Sequence, residues 1–189
     1  GDDPKRLSFK EINGLVESYA TTFYEQGLRK DDIAIIQLPN VVELPIVYLA
    51  LSKLGIICSP IPMQYGANEI TNIIHETNPK AFISIATFSG TDHAKQFSSV
   101  FNNSELKFSL GEVDGFIDLN ASKSEIELME AQQLYAKDNP ITADDIFTIC
   151  WTSGTTGTPK GVPRSHNLWL PMAKAAAFVS ETEEGDTLL

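Results

Sequence analysis

Residues 33–61, IAIIQLPNVVELPIVYLALSKLGIICSPI, decide the fold of this chain. They begin with a nearly continuous apolar run at residues 33–38, which is typical of a strand covered on both faces. Asn40 is expected to cap a helix that ends near Gly55, and residues 56–61 predict a second strand. A strand, a helix and a strand joined by short connections indicate a parallel pair with a helix packed against it.

The same alternation continues on both sides of this unit. Upstream, Ser8 and Glu11 form a capping-box pattern at the start of an apolar-faced helix that Gly27 ends. Downstream, the pattern predicts a helix, a strand, a helix, a strand and a helix at residues 68–77, 80–85, 92–101, 107–110 and 124–137. The sequence therefore predicts an α/β fold, with a mostly parallel sheet and helices on both of its faces.

Composition and charge narrow the class of protein. The 189 residues suffice for one α/β domain, and 42% of them are hydrophobic. A formal net charge of −11 argues against a nucleic-acid partner and against an anionic membrane surface. We find neither an apolar run of the ~20 residues that span a bilayer nor a secretion signal. Cys58 and Cys150 lie in strand-like runs, which favours free thiols in a reducing cytoplasm.

Residues 152–161, TSGTTGTPKG, follow a predicted buried strand at residues 146–151 and carry the strongest chemical signal. Glycines let a backbone approach an anion closely, and the five hydroxyl groups in this stretch can donate to several phosphate oxygens. Lys160 adds a point charge. An acidic protein that binds a polyphosphate needs its few donors and cations concentrated in this way.

Three other interpretations of this loop are weaker. A Walker P-loop leads straight into a helix, whereas here Val162-Pro163 blocks helix entry and predicts a second extended segment before a helix near Asn167. A flexible linker would not follow a buried strand so closely. A flavin-phosphate loop of the flavodoxin type would follow the first strand, whereas this loop follows a late one.

The helix after Asn167, with Trp169 and Phe178, is expected to pack in the core.

Residues 151–162, WTSGTTGTPKGV, resemble the AMP-binding signature of adenylate-forming enzymes, which include acyl-CoA ligases, peptide-synthetase adenylation domains and luciferases. Residues 7–12, LSFKEI, and residues 51–60 with Glu69-Ile70 resemble two further motifs of that family. The resemblance covers almost the whole chain. It implies that residues 1–189 are the N-terminal portion of the AMP-binding domain, with the rest of that domain and a C-terminal domain outside the chain.

The resemblance also implies a mechanism and a site. Such enzymes join a carboxylic acid to ATP, release pyrophosphate and usually pass the acyl group to the thiol of coenzyme A. The residues that it assigns to the ATP phosphates are Thr152, Ser153, Gly154, Thr155, Thr156, Gly157 and Lys160. The Mg²⁺ ligand and the catalytic lysine of the family are expected outside this chain, so we assign no catalytic residue and no metal ligand within it. We expect these 189 residues to catalyse little or no adenylation by themselves.

The segment after the loop bears on the type of substrate. Residues 163–167, PRSHN, resemble a stretch of aryl-acid-activating members and of some acyl-CoA ligases. We favour an acyl-CoA ligase for a fatty or cyclic acid. An aryl-acid adenylase that feeds a carrier protein, and a non-catalytic nucleotide-binding module, are the alternatives. For Arg164, a phosphate contact and an ion pair between elements are both open, whereas His75 and His93 are expected at the surface.

Overall fold

A computed structural model describes residues 6–101, 106–121, 126–152 and 159–186. The strands, in chain order, are β1 (Ile33–Gln37), β2 (Ile57–Pro60), β3 (Ala81–Ile85), β4 (Thr87–Phe88), β5 (Thr91–Asp92), β6 (Leu106–Leu110), β7 (Ile117–Asp118), β8 (Ile146–Thr152) and β9 (Lys160–Ser165). The helices are α1 (Phe9–Glu25), α2 (Glu43–Lys53), α3 (Ala67–Thr77), α4 (His93–Gln96), α5 (Ile126–Asp138) and α6 (His166–Val179).

Seven strands form one sheet in the order β7-β6-β3-β1-β2-β8-β9, and β4 and β5 form a separate antiparallel pair. Within the sheet, every neighbouring pair is parallel except β8 and β9. The carboxyl ends of the parallel strands therefore meet at one edge, which we call the carboxyl edge. The predicted mostly parallel sheet is confirmed.

Two core clusters lie on opposite faces of the sheet, because successive side chains of a strand point to opposite sides. In β1, Ile36 belongs to the first core cluster, which α1 and α2 cover. Its neighbour Ile35 belongs to the second core cluster, which includes Ile70 and Ile73 of α3. The prediction of helices on both faces is confirmed.

Helix α1 begins as its sequence predicts. The backbone N–H of Glu11 donates to Ser8 Oγ at 3.3 Å, and the backbone N–H of Ser8 donates to Glu11 Oε2 at 2.7 Å. Gly27 follows the helix with φ +91°, in the left-handed region that glycine adopts at low cost. The cap and the stop signal of this helix are both confirmed.

Asn40 does not cap α2, so that prediction was wrong. The backbone N–H of Val41 bonds to the carbonyl of Pro39 at 2.8 Å, and that of Leu44 bonds to the carbonyl of Val41 at 3.0 Å. These turns delay the helix until Glu43, with Val42 at the N-cap position. Asn40 therefore lies two residues before the cap.

The predicted helix at residues 92–101 is mostly replaced by turns. Ser89 and Gly90 adopt φ of +50° and +79° between β4 and β5, and α4 then extends over four residues. Turns after α4 bring Phe97 and Phe101 against Phe82 of the second core cluster. Residues 111–118 contain the short strand β7, for which the sequence pattern gave no separate prediction.

His93 is buried, which corrects its predicted place at the surface. Its ring lies edge-on to Phe88 and Phe97, and its Nδ1 is 3.0 Å from Gln96 Nε2. Burial lowers the pKa of the His93 imidazole. His93 is therefore a buried residue that packs against Phe88 of β4 and against Phe97.

Strand β8 and helix α6 are more exposed than predicted. In β8 only Thr148 is fully buried, because the strand pairs with β2 at a single register position and with the exposed β9 on its other side. Helix α6 has no buried residue in the described structure, and Phe178 is 85% exposed. The prediction of a core-packing helix was wrong for these residues.

Candidate functional site

Strands β8 and β9 form a hairpin whose loop end lies at the carboxyl edge. Thr152, the last residue of β8, pairs with Lys160, the first residue of β9. The hydroxyl of Thr152 donates to the backbone carbonyl of Lys160 at 3.4 Å, and both residues are exposed. Two predicted phosphate contacts therefore lie side by side where open α/β sheets bind their ligands.

The other predicted contacts lie outside the described residues. They are Ser153, Gly154, Thr155, Thr156 and Gly157. Chain connectivity attaches this segment to Thr152 at one end and, through residues 158 and 159, to Lys160 at the other. The two strands at its ends confirm that the loop joins two extended segments rather than a strand and a helix. The phosphate contacts of these five residues stay a prediction.

Trp151 joins this hairpin to the parallel sheet. Its indole N–H donates to the hydroxyl of Ser59 in β2 at 2.9 Å, and its ring packs beside the second core cluster. The opposite side of the ring lies over Gly161 of β9, which is paired with Trp151 across the hairpin. Sequence analysis missed this contact because Trp151 and Ser59 are far apart in the chain and neither type of residue signals the other.

Gly161 is required by this close approach rather than by a special backbone angle. A Cβ atom at this position would lie 2.8 Å from Ile149 Cγ2 and 3.1 Å from Trp151 Cη2. Both neighbours are side chains of β8, and the indole is already fixed by Ser59. The glycine next to Lys160 therefore has a packing role in addition to its place in the loop motif.

Replacing Gly161 with alanine is expected to lower the free energy of unfolding by about 1–3 kcal/mol, because the added methyl group overpacks the hairpin. Urea unfolding would measure this loss. Gly14→Ala is a matched control, since nothing lies within 4 Å of a Cβ atom at Gly14 in α1. This control is expected to gain about 0.5–1 kcal/mol, because alanine favours a helix interior. An equal change in the free energy of unfolding for the two variants would contradict the packing role of Gly161.

Arg164 and His166 contact neighbouring aromatic rings. The Arg164 guanidinium lies 5.3 Å from the centre of the Trp169 ring, and its Nη1 is 3.5 Å from Met172 Sδ. His166, the first residue of α6, stacks on Phe147 with ring centres 4.8 Å apart. Both side chains therefore help to attach α6 to the hairpin. The phosphate contact considered for Arg164 stays a prediction.

The remaining features of the described residues add no second site. No group of three or more His, Cys, Asp or Glu side chains in this part of the chain is arranged to hold a metal ion. None of its helices is long and apolar enough to cross a membrane. Cys58 and Cys150 are both free thiols, and burial raises the pKa of the Cys58 thiol.

The sequence matches the family model of AMP-binding enzymes over residues 2–189. It is 30% identical to enterobactin synthase component E of Escherichia coli, over 88% of this chain and 30% of that protein. It is 27% identical to the long-chain-fatty-acid–CoA ligase FadD13 of Mycobacterium tuberculosis, over 97% of this chain and 34% of that protein. The chain thus spans about a third of the length of these relatives.

A solved structure gives the same result for the fold. The apo structure of Mycobacterium smegmatis MbtA superposes with a TM-score of 0.77 at 20% identity, covering 97% of this chain and 33% of that one. Because the family model covers almost every residue, this chain belongs to the AMP-binding enzymes of the adenylate-forming ligase superfamily.

Proposed function

We propose that this chain is the ATP-phosphate-binding portion of an acid–thiol ligase. The enzyme would join a carboxylic acid to ATP, release pyrophosphate and transfer the acyl group to coenzyme A. The observation that carries this proposal is the pairing of Thr152 with Lys160 at the carboxyl edge. This pairing supports a phosphate loop whose two ends are fixed by a strand ladder. Because the protein has a net charge of −11, it needs such a local group of donors and cations to bind a polyphosphate.

The proposed role of the hairpin is electrostatic. Lys160 supplies a positive charge and Thr152 a hydroxyl donor, and residues 153–157 would add backbone N–H groups and further hydroxyls. Together they would hold the β- and γ-phosphates, so that the acid attacks the α-phosphate and pyrophosphate leaves. Mg²⁺ would add positive charge to the same phosphates. We expect its protein ligand, and the residue that contacts the acid, outside these 189 residues.

We infer that the acid is a fatty or cyclic one and that the acceptor is coenzyme A. A relative named as a long-chain-fatty-acid–CoA ligase, aligned over nearly the whole chain, supports this choice. The two free thiols are consistent with a reducing compartment, and we propose the cytoplasm.

A second candidate is an aryl-acid adenylase that feeds a carrier protein. Residues 163–167, PRSHN, favour it through their resemblance to members of that type. The chain is 30% identical to a synthase component and 27% identical to the CoA ligase, so the matches do not favour the CoA ligase over this candidate. The two candidates share the first half-reaction and differ in the acid and in the acceptor.

The whole protein is expected to exchange radioactive pyrophosphate into ATP when its acid is present. A panel of straight-chain, cyclic and aryl acids would identify that acid, and thioester formation with coenzyme A would then separate the two candidates. The 189-residue polypeptide is the negative control, since it is expected to show little or no exchange. Binding of ATP without exchange for any acid would instead indicate a non-catalytic nucleotide-binding module.

A further inference from the structure

We propose that Trp151 is a positioning residue for the ATP phosphates and that it acts through its hydrogen bond to Ser59. This inference rests on the proposed function of the hairpin. It assigns a role to a side chain that would not itself contact the nucleotide. The bond sets the angle at which β8 and β9 leave the parallel sheet, and thereby the positions of Thr152 and Lys160.

The backbone ladder between β2 and β8 is short. In the described residues, the register between these strands consists of the pair Cys58–Thr148. Thr152 follows Thr148 by four residues, so the base of the loop lies well beyond this pair. The bond from Trp151 to Ser59 spans that unpaired stretch at 2.9 Å and ends one residue before Thr152.

Ser59 is a fixed acceptor. It is fully buried and pairs with Ile35 of β1 in the centre of the sheet. A side chain in such a place has little freedom to follow a moving partner, because protein interiors are close-packed. The indole is therefore held from the rigid part of the fold.

The other side of the indole transmits this position to β9. The ring lies against Gly161, which directly follows Lys160. Trp151 thus contacts the residue after Lys160 and precedes Thr152, so it touches both ends of the loop. Groups that bind a substrate must be held to within about 0.5 Å of their productive geometry, so a small rotation of the hairpin would weaken the binding of the ATP phosphates.

Trp169 provides a matched control on the same strand. Its indole N–H donates to the hydroxyl of Thr148, also at 2.9 Å. This bond attaches α6 to β8 at the position where the ladder with β2 already holds the strand. Losing this bond should lower the free energy of unfolding without changing the angle at which β8 and β9 leave the sheet.

The test uses three variants of the whole protein: Trp151→Phe, Ser59→Ala and the variant that carries both changes. Trp169→Phe is the control for all three. Either single change is expected to raise the KM for ATP by about three- to tenfold, the size of one lost hydrogen bond, with little change in the KM for the acid. The double variant should be no worse than the worse single variant, because both changes remove the same bond. Trp169→Phe should lower the melting temperature and leave the KM for ATP unchanged.

Several outcomes would overturn the inference. Trp151→Phe and Ser59→Ala could lower the melting temperature as Trp169→Phe does, with an unchanged KM for ATP, which would make the bond purely structural. Effects that add fully in the double variant would show that the two residues act separately. The proposed function fails by a different result, namely no acid-dependent exchange in the unaltered protein. The two failures are therefore distinguishable.

Discussion

Replacing Lys160 with alanine is expected to lower the rate of acid-dependent pyrophosphate release by about 100-fold, the loss typical of one preorganised donor to developing charge. Lys160 begins β9 at the carboxyl edge, beside Thr152, and its side chain is exposed there. Its ammonium group would face the leaving pyrophosphate, whose negative charge grows as the bond to the α-phosphate breaks. The rate is measured with the whole protein at saturating acid.

Lys80→Ala is the matched control for this charge. Lys80 is also exposed, but it directly precedes β3 and so lies at the opposite edge of the same sheet. Its replacement removes one positive charge without touching the hairpin and should leave the rate within about twofold, as surface charges far from a site are screened. If a variant with alanine at both Lys160 and Thr155 kept the normal rate, the phosphate-binding role of the loop would be refuted.

Replacing Phe82 with alanine is expected to lower the free energy of unfolding by about 3–5 kcal/mol. Phe82 is 0% exposed and lies in the centre of the second core cluster. Its ring stacks on Phe101 at 4.2 Å and meets Phe97 edge-on at 6.3 Å. The substitution removes these contacts and leaves a cavity that the rigid sheet cannot close. Chemical unfolding followed by circular dichroism would measure the loss.

Phe9→Ala is the matched control for this cavity. Phe9 begins α1 and is 93% exposed, so its replacement should change the free energy of unfolding by less than about 0.5 kcal/mol. Phe82→Leu leaves a smaller cavity than Phe82→Ala. Its loss in the free energy of unfolding should therefore lie between those of Phe82→Ala and Phe9→Ala. A loss below about 1 kcal/mol for Phe82→Ala would contradict the view that this cluster holds α3 and the turns after α4 to the sheet.

Local sequence signals predicted most of the parallel sheet. The apolar runs that form β1, β2 and β3 are short and are bounded by helix- and strand-breaking residues. Most of their residues are buried, because both faces of the sheet are covered at these strands. The capping box of Ser8 and Glu11 is decided within four residues, so it too could be found from sequence. The same holds for the extended segment at residues 160–165, because Pro163 excludes an immediate helix.

The errors arose where tertiary contacts outweigh local preference. Asn40 is a good capping residue, but the turn after Pro39 moves the start of α2 beyond it. His93 is polar, yet Phe88 and Phe97 bury it. The bond between Trp151 and Ser59 joins positions 92 residues apart, and no pattern within one strand indicates it.

Strand β9 ends the sheet among the described strands, and this has a consequence for contacts between separate molecules. An unpaired strand edge offers N–H and carbonyl groups to any passing chain and is a common start of aggregation. Pro163 lies in the middle of β9 and has no N–H group to offer. An incoming strand would therefore find no N–H donor at position 163, which makes β9 a poorer template for edge-to-edge pairing.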